Sequence, residues 1–207
     1  MDALIKQAIS KYREPLIQDL LKQYFAESEA ARVYLKVAKE KAWTVIIDHI
    51  TVRCHHVDPK AQEFLKMGYE YQGELIEYPD QGWWAKVYRK KDYPALFLDQ
   101  AYEDERGKSS ILPEWVNIFG DHVLHHIAMR VTAIEQAIEA MKVQKVQFAG
   151  QIVGKRGSWL RQIFTSAEVR QGKAYSVLEL AERNNYDGFV PEQADSLMQS
   201  SVEKRTT

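Results

Sequence analysis

Apolar residues recur at helical spacing along the start of the chain. Leu16, Leu20, Leu21 and Tyr24 make one stripe, and Ala31, Val33, Tyr34 and Val37 another. Pro15 suits the first turn of a helix, where its missing N–H needs no partner. Residues 1–42 are therefore expected to form an N-terminal helical cap on a later core. At Trp43 the pattern changes. Residues 43–53 are rich in β-branched side chains and have a strand's length. Alternation then puts Ile47, His49, Thr51 and Arg53 on one face and Asp48, Ile50 and Val52 on the other. A helical pattern over 59–67 stops at Gly68. Strands are expected over 69–78, 84–89 and 95–100, with Pro79-Asp80-Gln81-Gly82 as a turn.

Polar and breaker residues interrupt this pattern over 105–121, read as a connecting segment with a short helix near Pro113. The order then returns: strand 122–131, helix 133–141, and strands 146–154, 160–167 and 174–183. A β-α-β-β-β module is thus expected twice, over 43–104 and 122–187. Residues 188–207 are expected to form a short helix from Pro191 and a tail.

The two modules share a phrase. Asp48-His49-Ile50-Thr51-Val52-Arg53 returns as His125-His126-Ile127-Ala128-Met129-Arg130, so His49 falls on His126 and Arg53 on Arg130 at an offset of 77 residues. Paired about a pseudo-twofold axis, the first strands would turn both histidines into one cleft. Glu179 lies in an apolar last strand, where an ionised carboxylate is costly unless paired or bound to a metal. The corresponding residue of the first module is Phe97, which leaves two histidines and one carboxylate with open coordination positions. That set marks non-haem Fe(II) oxygenases when its ligands are facial. The expected fold is α+β, with two such modules forming an open barrel around a metal site.

Other candidates receive plainer readings. His125 should point away from His126, because neighbours on a strand alternate. His55, His56 and His122 lie near strand ends, as solvent or loop histidines. Arg130 suits a structural ion pair, while Phe97, Trp83 and Trp84 suit packing or pocket walls. Gly154-Lys155-Arg156-Gly157-Ser158 lacks the spacing of a phosphate-binding loop and reads as a hairpin turn.

Composition narrows the partners. Lys+Arg 28 against Asp+Glu 29 gives a net charge of -1, with no global pull toward nucleic acid or an anionic membrane. There is no apolar run of about 18 residues. The single cysteine, Cys54, and the absence of a signal-like amino terminus make the cytoplasm the expected location. The oligomeric state is left open.

The repeated histidine phrases, together with Gly188-Phe189-Val190-Pro191-Glu192-Gln193-Ala194-Asp195, resemble the 2-oxoadipate dioxygenase/decarboxylase family. That family sits in the vicinal oxygen chelate superfamily, beside glyoxalase and 4-hydroxyphenylpyruvate dioxygenase. The resemblance implies Fe(II) held by His49, His126 and Glu179, with Arg53 and, by a looser match, Arg161 binding substrate. It further implies a 2-oxo dicarboxylic acid and O2 as partners, with 2-oxoadipate giving 2-hydroxyglutarate and CO2. Two other readings stay open. One is a glyoxalase-like isomerase, lyase or hydrolase using Zn2+, Ni2+ or Mn2+, and the other a nonenzymatic module that binds a small ligand.

Overall fold

The computed structural model describes residues 2–190 and 193. Among them are six α-helices and a nine-stranded sheet in the order β2 (Glu70–Tyr78), β3 (Trp83–Arg89), β4 (Ala95–Ala101), β1 (Ile47–Arg53), β5 (Val123–Val131), β9 (Lys173–Arg183), β7 (Leu160–Thr165) and β6 (Phe148–Val153), with β8 (Glu168–Arg170) on β9. The mixed α+β class and the open, unclosed sheet agree with expectation. By contact density the chain divides into two compact units, residues 1–48 with 127–207 and His49–His126, the division falling inside β1 and β5.

In the unit His49–His126, β1 (Ile47–Arg53) runs parallel to β4 (Ala95–Ala101), with His49 opposite Ala95, Thr51 opposite Phe97 and Arg53 opposite Asp99. Antiparallel β3 (Trp83–Arg89) and β2 (Glu70–Tyr78) complete the ladder. The β2–β3 register shifts between Tyr71 and Leu75, where Gly73 takes φ 84°. Helix α4 (Val57–Leu65) starts two residues before Pro59, which the first turn of a helix tolerates. The Val57 N–H that a helix start leaves open donates to Gln100 Oε1 at 2.7 Å. Val57, Ala61 and Phe64 form its buried stripe. In the connection, α5 (Leu112–Phe119) buries Leu112, Trp115 and Val116.

The other unit carries the helical cap as three helices, α1 (Asp2–Ile9), α2 (Pro15–Glu27) and α3 (Glu29–Glu40). Ser28 separates α2 from α3 and caps the latter, its hydroxyl accepting from Ala31 N at 3.2 Å. The cap is tied to the sheet by Tyr24, whose hydroxyl donates to the Val177 carbonyl, and by Glu168, which accepts from Ala30 N at 3.0 Å. Helix α6 (Ile134–Val143) follows β5 (Val123–Val131). The strand expected over 160–167 ends early, as β7 (Leu160–Thr165), and a strand that the pattern does not predict, β8 (Glu168–Arg170), pairs with β9 (Lys173–Arg183). Gln171 and Gly172, at φ 53° and 73°, make the two-residue hairpin turn, whose twist matches its strands when both central residues have positive φ. Strand β6 (Phe148–Val153) lies at the end of the sheet order. The helix expected from Pro191 lies outside the described residues, Gln193 apart.

Candidate metal centre

The face of β1 predicted by alternation is the one that carries the candidate chemistry. His49, Thr51 and Arg53 are all buried, and the His49 ring stands 5.6 Å from that of His126 at 84°. The Phe97 ring also lies beside His49, centroid to centroid 5.0 Å. Thr51 Oγ1 lies 3.0 Å from His126 Nε2. Burial, reinforced by the neighbouring His49 and Arg53, pushes the His126 pKa well below its ordinary value. Its imidazole is therefore neutral at physiological pH, the state in which histidine ligates a metal.

Glu179 lies on β9 between Leu178 and Leu180, which are fully buried, and is itself 2% exposed. Gln162 Nε2 donates to Glu179 Oε1 at 2.6 Å. One ligand atom from each of His49, His126 and Glu179 can be chosen so that all lie within 4.8 Å of one another. The donor chemistry fits as well: two imidazoles and one carboxylate suit Fe(II), Zn2+, Ni2+ or Mn2+ better than Mg2+ or Ca2+, which prefer all-oxygen shells.

Arg53 is held by neighbours that periodicity alone did not bring forward. Its guanidinium carbon lies 4.9 Å from the centroid of the Trp115 ring, and Asp99 is its partner in the strand register. Burial raises the Asp99 carboxyl to about 7, against the opposing pull of Arg53 and then His49. Trp115 also meets His125 edge-on at 5.6 Å.

Here one expectation is corrected. His125 does not point away from His126: it is buried, and the two Nδ1 atoms are 2.9 Å apart. Strand alternation sets the direction of Cα–Cβ, but the imidazole beyond it can fold back over the strand. His56 and His122 behave as surface groups, within 3.3 Å of Glu103 and 3.4 Å of Asp121 respectively.

Arg161 is placed differently from Arg53. Its Nη2 donates to Glu135 Oε1 at 2.6 Å, and its Nη1 to Glu182 Oε1 at 2.9 Å. Glu182 in turn accepts from Ile134 N at 2.8 Å, joining β9 to the start of α6. Both terminal nitrogens of Arg161 are thus engaged in a carboxylate clamp. Arg130 makes the ion pair expected of it, with Asp48 at 2.9 Å.

The sequence pattern does not single out Asp99, Trp115 or Gln162. Asp99 was accessible to reasoning, since it alternates with Phe97 on β4 and shares its face. So was Gln162, because alternation on β7 separates it from Arg161. Trp115 carries no comparable signal, for its position depends on how the connecting helix packs.

No protein-family model matches the sequence, and no curated protein does. Solved structures do resemble it. A provisionally assigned hydrolase from Shewanella frigidimarina NCIMB 400 superposes with TM-score 0.71 at 18% identity, covering 85% of this chain and 96% of that one. A provisionally assigned glyoxalase superfamily protein from Ralstonia eutropha JMP134 gives TM-score 0.66 at 13% identity, covering 84% of each chain. A variant of 4-hydroxymandelate synthase from Streptomyces coelicolor gives 0.61 at 17% identity, with 78% of this chain and 55% of that chain covered. At these identities the likeness establishes the fold, which is of the vicinal oxygen chelate, or glyoxalase, type. Within that fold His49, His126 and Glu179 form a cluster that could bind a divalent metal.

Proposed function

We propose that the protein is an Fe(II)-dependent dioxygenase and decarboxylase acting on a 2-oxo dicarboxylic acid, with 2-oxoadipate as the leading substrate and 2-hydroxyglutarate and CO2 as products. The observation that carries this reading is the grouping of two imidazoles and one carboxylate, with a buried arginine four residues after the first histidine on the same face of β1. Fe(II), when bound by His49, His126 and Glu179, supplies the redox chemistry by which O2 oxidises a chelating 2-oxo acid.

The chain's own residues supply binding and orientation. Neutral His126 needs to lose no proton before it donates to a cation. Arg53 offers a forked pair of donors to the substrate's far carboxylate, which lysine would not reproduce. Trp115 limits the guanidinium's freedom by packing on it at 4.9 Å. Asp99 in its protonated form adds no negative charge to compete with that carboxylate. Phe97, beside His49, keeps a fourth protein ligand out and contributes an apolar wall.

The test is oxygen uptake by anaerobically loaded Fe(II) protein on addition of 2-oxoadipate. Consumption of O2 in step with release of CO2 and formation of 2-hydroxyglutarate is expected. Turnover without O2 would replace this reading with an isomerase, lyase or hydrolase, and ligand binding without turnover with a binding module.

A further inference from the structure

Gln162 lies on β7 opposite Ala181 of β9, and Phe164 opposite Glu179, so Gln162 projects from the same face as the carboxylate. Its amide nitrogen donates to Glu179 Oε1 at 2.6 Å. The opposite amide orientation would set two acceptor oxygens against each other at that distance, so the chemistry dictates which end faces the glutamate. The consequence falls on the other end. Gln162 Oε1 is buried and has no hydrogen-bond partner among the described residues.

A buried acceptor without a donor opposes folding, and an apolar side chain of similar volume would avoid that cost. The amide therefore brings no evident gain to this sheet as packing. What it does provide is a short hydrogen bond that restrains the rotation of a carboxylate among apolar neighbours. Carboxylates that bind metals are commonly held in this way by groups outside the coordination shell.

We propose that Gln162 is the positioning residue of the metal centre, its amide N–H holding the Glu179 carboxylate in the orientation that a divalent cation requires. This rests on Glu179 being a metal ligand, as in the function proposed above. Gln162 acts through Glu179 and contacts no reacting atom.

The experiment titrates metal-free protein with Co2+, following the visible absorption that reports the cation's coordination. Gln162→Met should weaken Co2+ binding about 10- to 100-fold and shift the absorption bands. Gln162→Asn, which keeps an amide but withdraws it by one methylene, should do the same, and carries the test alone if the methionine variant does not fold. In the Glu179→Ala background the same substitution should change the Co2+ affinity less than about twofold, because its only route to the metal is gone. Wild-type affinity and spectrum in the Gln162 variants would overturn the inference, as would an undiminished effect in the Glu179→Ala background. Failure of the wild-type protein to take up Co2+ would instead overturn the metal reading beneath it.

Discussion

Asp48 and Arg183 form a two-pronged ion pair. Arg183 Nε and Nη2 donate to Asp48 Oδ1 and Oδ2, each at 2.7 Å, and the two side chains are 3% and 1% exposed in that order. Arg130 adds a third contact to the same carboxylate at 2.9 Å. Asp48 opens the repeated phrase but faces away from its histidine, so it acts on the frame of the site and not on its chemistry.

Breaking this pair strands a buried guanidinium. Asp48→Ala is expected to lower the unfolding free energy by about 3–5 kcal/mol. Urea denaturation of the metal-free protein measures it. A loss below about 1 kcal/mol would mean that the pair, although buried, is expendable.

The Arg161 clamp leads to a different expectation. The Arg161 hydrogen bonds hold the Glu135 carboxyl down to about 2. Arg161→Met should cost about 2 kcal/mol of stability through loss of charge-assisted hydrogen bonds, yet leave the Co2+ affinity unchanged. Unchanged stability combined with weaker binding of the 2-oxo acid would return Arg161 to the substrate site, where the family resemblance puts it.

Arg53 should behave in the reverse manner. Arg53→Met is expected to raise KM for 2-oxoadipate about 10- to 100-fold, the loss of a charge-assisted carboxylate contact, while a monocarboxylate 2-oxo acid is little affected. Steady-state kinetics with the two substrates decides it. Equal losses for both would remove Arg53 from distal carboxylate recognition.

Asp99 gives stability a pH dependence of definite sign. Its carboxyl titrates at about 7 in the folded chain, whereas an unfolded aspartate titrates near ~3.9, so the folded state holds the extra proton between those values. Its contribution therefore falls as pH rises through that window and is level above about 7. His126 acts oppositely, because its lowered pKa means that the unfolded state takes up the proton first as pH drops. The informative quantity is the difference between wild type and Asp99→Asn, both metal-free. Urea midpoints at about pH 5 and pH 7.5 should show the variant gaining on wild type at the higher pH. An equal gap at both values would contradict the assignment.

Most of the fold was legible because its elements are long and regular in pattern. The period-two run around His49 returns 77 residues later, and that repetition points to both imidazoles. Glu179 stood out as a charge among leucines. The hairpin strand β8 is not legible in the pattern, because its turn depends on the positive φ of Gln171, which a glutamine does not advertise. His125 departs from the expected direction because Cβ alternation says nothing of where a two-torsion ring comes to rest. Trp115 required tertiary knowledge, since only the packing of α5 brings it against Arg53.

The most direct measurement is the metal content of anaerobically loaded protein, by elemental analysis of wild type beside His49→Ala, His126→Ala and Glu179→Ala. About one ion per wild-type chain, largely lost in each variant, is the predicted result for a three-ligand site. Metal retained by all three variants at the wild-type level would contradict it.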